Sequence, residues 1–267
     1  MKKILTILLT LMAGTSVAQM HEGKPLVNAS IVCGTRSFAK TFIIGVKLRV
    51  ADGWHTYWKN PGDSGLPFEA EVDDSSGYVV KEVQFPTPKR FIGDGSVSYG
   101  YDDSVVFLLR IKSPENAIGK LPKFKLKTSW LVCKHICLPG SATLDFDASQ
   151  ISTDQTAEGK KLIDRWTARM PQPGAGFNLE NTNAVAIPTK NGFVVKVEFA
   201  GVAPGTVTEF YPEDVPGFVL NLSGLKLTDT GFELSMDKSD KDAAFTAIRG
   251  VAKIETQGYA ITIPVKQ

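Results

Sequence analysis

The chain has 267 residues, of which 30 are basic and 28 acidic, giving a formal net charge of +2. With no long run of either sign, that balance leaves no electrostatic footprint for nucleic acid or an anionic membrane surface. The length allows one large domain or two ordinary ones of about 100 to 150 residues each.

At the N-terminus, Lys2 and Lys3 precede an apolar run from Ile4 to Ala13 and a small-x-small site at Ser16-Val17-Ala18. Residues 1–18 therefore read as a signal peptide cleaved after Ala18. The apolar run falls short of the roughly 20 residues that cross a bilayer, and nothing later approaches that length. An exported chain without direct membrane insertion is expected. No cysteine follows the cleavage site to accept a lipid.

Residues 19–150 read as one β domain. Phe42 to Val50 is rich in β-branched residues, and Ala51-Asp52-Gly53 supplies a turn before Trp54-His55-Thr56-Tyr57-Trp58. Further strands are predicted at Leu66–Val72, Tyr78–Phe85, Ser104–Ile111, Phe124–Leu131 and Ala142–Phe146. Short strands at this density predict an immunoglobulin-like sandwich. Pro61, Pro67, Pro86, Pro88, Pro114, Pro122 and Pro139 are expected at strand ends or in loops, where a missing donor does no harm.

Residues 151–176 differ. Ala157, Leu162, Ile163, Trp166 and Met170 recur at helical spacing, and Pro171 to Gly176 then reads as a linker. From 177 to 267 the strand-and-turn pattern returns, at Phe193–Ala200, Val207–Tyr211, Phe218–Leu222, Phe232–Met236, Ala244–Arg249 and Tyr259–Val265. The fold class is thus all-β: two immunoglobulin-like sandwiches joined by one amphipathic helix and a Pro/Gly linker. The second half contains neither cysteine nor histidine, so it brings no nucleophile–base pair of its own and reads as a platform or docking surface.

The exported part holds Cys33, Cys133 and Cys137, an odd number that leaves one unpaired when the chain is oxidised. Cys133 and Cys137 flank Lys134-His135-Ile136 on one predicted loop. Cα atoms roughly 4.4 to 6.8 Å apart permit a bridge, a reach available across three intervening residues. A ring so short removes little chain entropy and is a weak staple, so a bond that opens and closes suits it better. Lys134 and His135 could favour a thiolate electrostatically. Three functions compete: thiol–disulfide exchange, Cu(I) binding by Cys133 and Cys137 with His135, and a static clip. Which cysteine attacks is open. Trp54, Tyr57, Trp58 and Trp130 read as core and rim aromatics, His55 as a surface residue, and Cys33 as a small buried residue on a strand or a neighbour of the pair. No dinucleotide fingerprint, phosphate loop or Ser-His-Asp set occurs, so no cofactor is implied.

Four blocks in order carry a family resemblance: Gly53 to Pro67, Phe85 to Phe91, Ser98 to Asp103, and the Cys133 to Pro139 loop. Together they resemble the N-terminal periplasmic domain of the DsbD protein-disulfide reductases, most of all the ScsB-type branch linked to copper tolerance. The helix and second β domain resemble the rest of that periplasmic region. The resemblance implies an immunoglobulin-like domain in the periplasm with Cys133 and Cys137 as its redox pair. It would receive electrons from a membrane electron-transfer protein and exchange them with thioredoxin-like proteins. It also implies a cap loop over the thiols within Phe91 to Tyr101, with Phe91, Tyr99 and Tyr101 as candidate cover and Gly93, Gly95 and Gly100 allowing motion. Classical members have five residues between the cysteines; here there are three. The family's transmembrane and thioredoxin-like portions are missing, which suggests a stand-alone relay or an excised region. The ending Ile263 to Gln267 suits a last strand and favours the former.

Overall fold

A computed structural model describes residues 20–21, 23–93, 95–174 and 182–266. The expected signal peptide and the end of the linker lie outside the described residues.

The N-terminal sandwich comprises β1 (Val27–Val32), β2 (Thr41–Val50), β3 (His55–Gly62), β4 (Glu69–Val72), β5 (Val79–Gln84), β6 (Lys89–Gly93), β7 (Ser96–Asp102), β8 (Ser104–Lys112), β9 (Lys123–Cys133) and β10 (Cys137–Asp147). One sheet runs β1-β2-β8-β5; the other runs β10-β9-β3-β7-β6, with β4 also paired to β9. Alternation makes the core legible: on β9, Phe124, Leu126, Thr128 and Trp130 are buried while Lys123, Lys125 and Lys127 are exposed. Between the sheets Phe68 stacks on Phe107 at 4.3 Å, and Tyr101 and Phe85 meet Phe107 edge-on.

The helix, α1, spans Thr153–Thr167 and starts at a capping box in which Ser152 and Gln155 satisfy each other's backbone donors. It is more than a connector. Trp166 is buried in the N-terminal core, and Gly159 sits where a Cβ would lie 2.1 Å from the Cys33 carbonyl oxygen. Cys33 falls just past the end of β1 and not on a strand; its thiol donates to the Thr35 carbonyl at 3.2 Å. Burial pushes that thiol's pKa up.

Part of the expected linker is ordered structure: β11 (Gln172–Pro173) adds in parallel to the last strand. The C-terminal sandwich continues with β12 (Asn183–Pro188), β13 (Gly192–Glu198), β14 (Val207–Pro212), β15 (Phe218–Leu220), β16 (Lys226–Leu227), β17 (Gly231–Lys238), β18 (Ala247–Ile254) and β19 (Gln257–Pro264). Its sheets run β11-β19-β18-β14 and β12-β13-β17-β15, with β16 on β17. Phe210 and Phe232 stack at 3.8 Å in its core. β12, whose apolar residues are mostly small, has no counterpart among the predicted strands.

Two prolines depart from expectation. Pro61 lies within β3, where the pairing with β7 shifts register between Tyr57 and Gly62. Pro139 lies within β10, opposite Leu131. β10 is the terminal strand of its sheet, and an edge strand tolerates a residue without an N–H.

Candidate functional site

The cysteines sit at the tip of a hairpin. Cys133 ends β9, Cys137 begins β10, and the two face each other as cross-strand partners with Cα atoms 4.2 Å apart, joined by a disulfide. The expected loop is only the Lys134-His135-Ile136 turn, closed by the Lys134 N–H donating to the Ile136 carbonyl at 3.2 Å. The pair is asymmetric: Cys133 is 4% exposed, whereas Cys137 is solvent-exposed.

The neighbours follow from the two-residue period of a strand. Val132 pairs with Thr56 and Cys133 with His55, so consecutive residues of β9 and β3 alternate between the two sheet faces. Val132 and Trp58 join the core; Cys133 and Tyr57, although buried, do not. His55, Tyr57, Cys133 and Cys137 thus share the outer face. Directly opposed residues have Cβ atoms about 4.5 to 5.5 Å apart, which sets His55 beside Cys133. The Tyr57 hydroxyl donates toward Cys137 Sγ at 3.7 Å.

A run of rings completes the rim. His55 meets Tyr57 edge-on at 5.1 Å and stacks under Phe91 at 4.5 Å, the two planes 13° apart. Ser98 Oγ lies 3.4 Å from His55 Nε2. Burial pushes the His55 pKa below the usual imidazole range, partly opposed by the Asp102 carboxylate, which pairs with Lys89. Burial pushes Tyr57 up, so its hydroxyl keeps its proton at neutral pH and remains a donor.

Of the expected cover, Phe91 reaches this rim; Tyr99 and Tyr101 do not. They occupy the inner face of β7, with Tyr101 donating to the Pro86 carbonyl at 2.7 Å and Tyr99 packing edge-on against Trp58. The segment expected as a loop is the β6–β7 hairpin. Tyr57 and His55 are the site residues that the sequence assigned elsewhere; the available signal was their alternation with buried Thr56 and Trp58. His135 is exposed on the turn. Among the described residues, no group of three or more His, Cys, Asp or Glu could hold a metal ion.

Two immunoglobulin-like sandwiches, the first carrying a disulfide across a hairpin tip under an aromatic rim, define a disulfide-bearing all-β protein. Residues 28–148 match the family model described as thiol:disulfide interchange protein DsbD, N-terminal. Among solved structures, the N-terminal periplasmic domain of ScsB from Proteus mirabilis shares the fold at 16% identity and a TM-score of 0.70, over 96% of this chain and 100% of that one. The reduced DsbD N-terminal domain of Neisseria meningitidis aligns at 13% identity and a TM-score of 0.30, over 46% of this chain and 85% of that one. No curated protein matches the chain.

Proposed function

We propose that this protein is a periplasmic thiol–disulfide exchange protein. Its Cys133–Cys137 pair takes electrons from a membrane reductase by way of thioredoxin-like proteins and hands them to periplasmic disulfides. One observation carries the assignment: the two sulfurs are bonded across a hairpin tip, with one residue exposed and the other buried. The match of residues 28–148 to the DsbD N-terminal family model supports the chemistry. Among the described residues no helix is long and apolar enough to cross a membrane. The relative with the same fold is a periplasmic domain.

The asymmetry gives the cysteines separate roles. In the dithiol form, the Cys137 thiolate attacks a substrate disulfide. The substrate S–S bond breaks, a Cys137–substrate mixed disulfide forms, and one substrate sulfur leaves as a thiolate. Cys133, losing its proton, then attacks Cys137 Sγ; the internal disulfide re-forms and the second substrate sulfur leaves. Two electrons have passed to the substrate, whose thiolates take up protons. Reloading runs the same steps backwards from a donor dithiol, which meets Cys137 first. In this reading Tyr57 stabilises the Cys137 thiolate by donating its hydroxyl, and His55, the cross-strand neighbour of Cys133, receives the Cys133 proton.

The test uses a thioredoxin-like protein stripped of its resolving cysteine and activated as a mixed disulfide with a small thiol. Cys133→Ser should form a covalent complex with it through Cys137, and Cys137→Ser should form little. Failure of both variants to form the complex would refute exchange.

A further inference from the structure

We infer that the C-terminal sandwich holds the aromatic rim of the redox site in place, with Arg90 as the positioning residue that transmits the hold. This coupling regulates the exchange chemistry proposed above and depends on it for its meaning. It starts from the position of β6. That strand is the last in its sheet, bonded only to β7, so no further strand secures its outer edge. Successive residues of a strand point to opposite faces. Phe91 lies over His55 on the site face; Arg90, one residue earlier, points the other way and crosses to the second sandwich.

There its guanidinium is held twice. Nη2 donates to the Leu222 carbonyl at 2.9 Å, and Nη1 lies 3.7 Å from Glu209 Oε1, with both side chains under 20% exposed. Burial pushes the Glu209 carboxyl up, and Arg90 is the largest influence opposing that rise. The surrounding seam is packed. Tyr211 meets Trp58 and Tyr99 edge-on, and Tyr211, Leu222 and Val251 belong to the same apolar cluster as the N-terminal core. Asn60 Nδ2 donates to the Pro212 carbonyl at 2.8 Å, and Lys59 pairs with Glu213.

Polar pairing in the seam is incomplete. Trp58 Nε1, Arg90 Nε and Tyr99 OH are buried there without a protein partner. A partner that shifts the C-terminal sandwich would move Arg90, and with it the adjacent Phe91. The half of the chain without cysteine or histidine thereby acquires a task at the site.

The experiment follows reduction of the Cys133–Cys137 disulfide in the full chain by a small dithiol, with wild type, Arg90→Ala, Arg90→Lys, Phe91→Ala and the Arg90→Ala/Phe91→Ala double variant. Arg90→Ala and Phe91→Ala should each speed reduction several-fold, and the double variant should be no faster than Phe91→Ala alone. Lysine should restore part of the wild-type rate, since it keeps the charge but not the fork. Glu209→Gln, which leaves the packing in place, serves if Arg90→Ala does not fold, and should act in the same direction. A wild-type rate in both Arg90→Ala and Glu209→Gln overturns the inference, as does a double variant whose effects multiply. Because a small dithiol needs no protein partner, these rates stand apart from mixed-disulfide formation: coupling without exchange would refute the exchange function instead.

Discussion

Replacing Tyr57 with Phe keeps the ring and removes the hydroxyl 3.7 Å from Cys137 Sγ. On the proposed mechanism this hydroxyl donates to the Cys137 thiolate of the reduced protein, and a hydrogen bond to a charged partner contributes about 1.5 to 3 kcal/mol when well shielded. Cys137 is exposed, so solvent competes and the effect falls to about 1 kcal/mol, or ~0.7 pKa unit at about 1.36 kcal/mol per unit. The sign is fixed: without the donor the thiolate is less stable and the Cys137 pKa rises. Below that pKa the thiolate fraction drops about fivefold; well above it nothing changes. The assay is iodoacetamide alkylation of Cys137 from pH 5 to 10 in a Cys33→Ala/Cys133→Ser background, with and without Tyr57→Phe. The Tyr57→Phe profile should shift to higher pH by ~0.7 unit with the same plateau. Superimposable profiles would refute the role given to Tyr57.

In the fully reduced protein, Cys137 should alkylate at least about tenfold faster than Cys133, because only the thiolate that solvent reaches reacts; peptide mapping after brief labelling checks this, and equal labelling contradicts it. Gly100→Ala would place a Cβ 1.9 Å from the Thr56 carbonyl oxygen, on backbone that cannot swing aside. It should cost about 3 kcal/mol, the upper part of the overpacking range, read from the urea midpoint; a loss under about 1 kcal/mol would mean that β3 and β7 are not paired as described. His55 has a pKa lowered by burial. At this group the unfolded chain therefore binds more protons between the folded pKa and about 6.5, and the His55 contribution to stability rises with pH across that window. On acidification from pH 7.5 to 5, wild type should lose more stability than His55→Gln; parallel losses would show that His55 is not held neutral.

Much of this architecture was legible because burial here follows the two-residue period. Thr41–Val50, Ser104–Lys112 and Gly231–Lys238 lie within a few residues of the strands expected from their apolar runs. Several misreadings share a cause: glycine and proline signal turns locally, whereas the sheet decides whether they form one. Pro139 and Gly140 moved the predicted start of β10 to Ala142, yet the strand begins at Cys137 because an edge position does not need the missing donor. Gly93, Gly95 and Gly100 suggested a mobile loop. Only Gly95, at φ 76°, is the turn of the β6–β7 hairpin, and Gly100 is glycine because β3 passes too close for a side chain. Tyr57 could not be told from Trp58 by composition; the pairing of β3 with β9 puts one beside the cysteines and the other in the core. The seam between the sandwiches had no sequence signal, since Arg90, Glu209 and Tyr211 are remote along the chain and meet only through the fold.

The most direct measurement is the reduction potential of the Cys133–Cys137 pair, from equilibration of the full chain in graded glutathione or dithiol buffers. A pair that opens and closes in service should titrate above about −300 mV, within reach of thioredoxin-like donors. A potential well below about −300 mV would make it a permanent clip and contradict the account at its root.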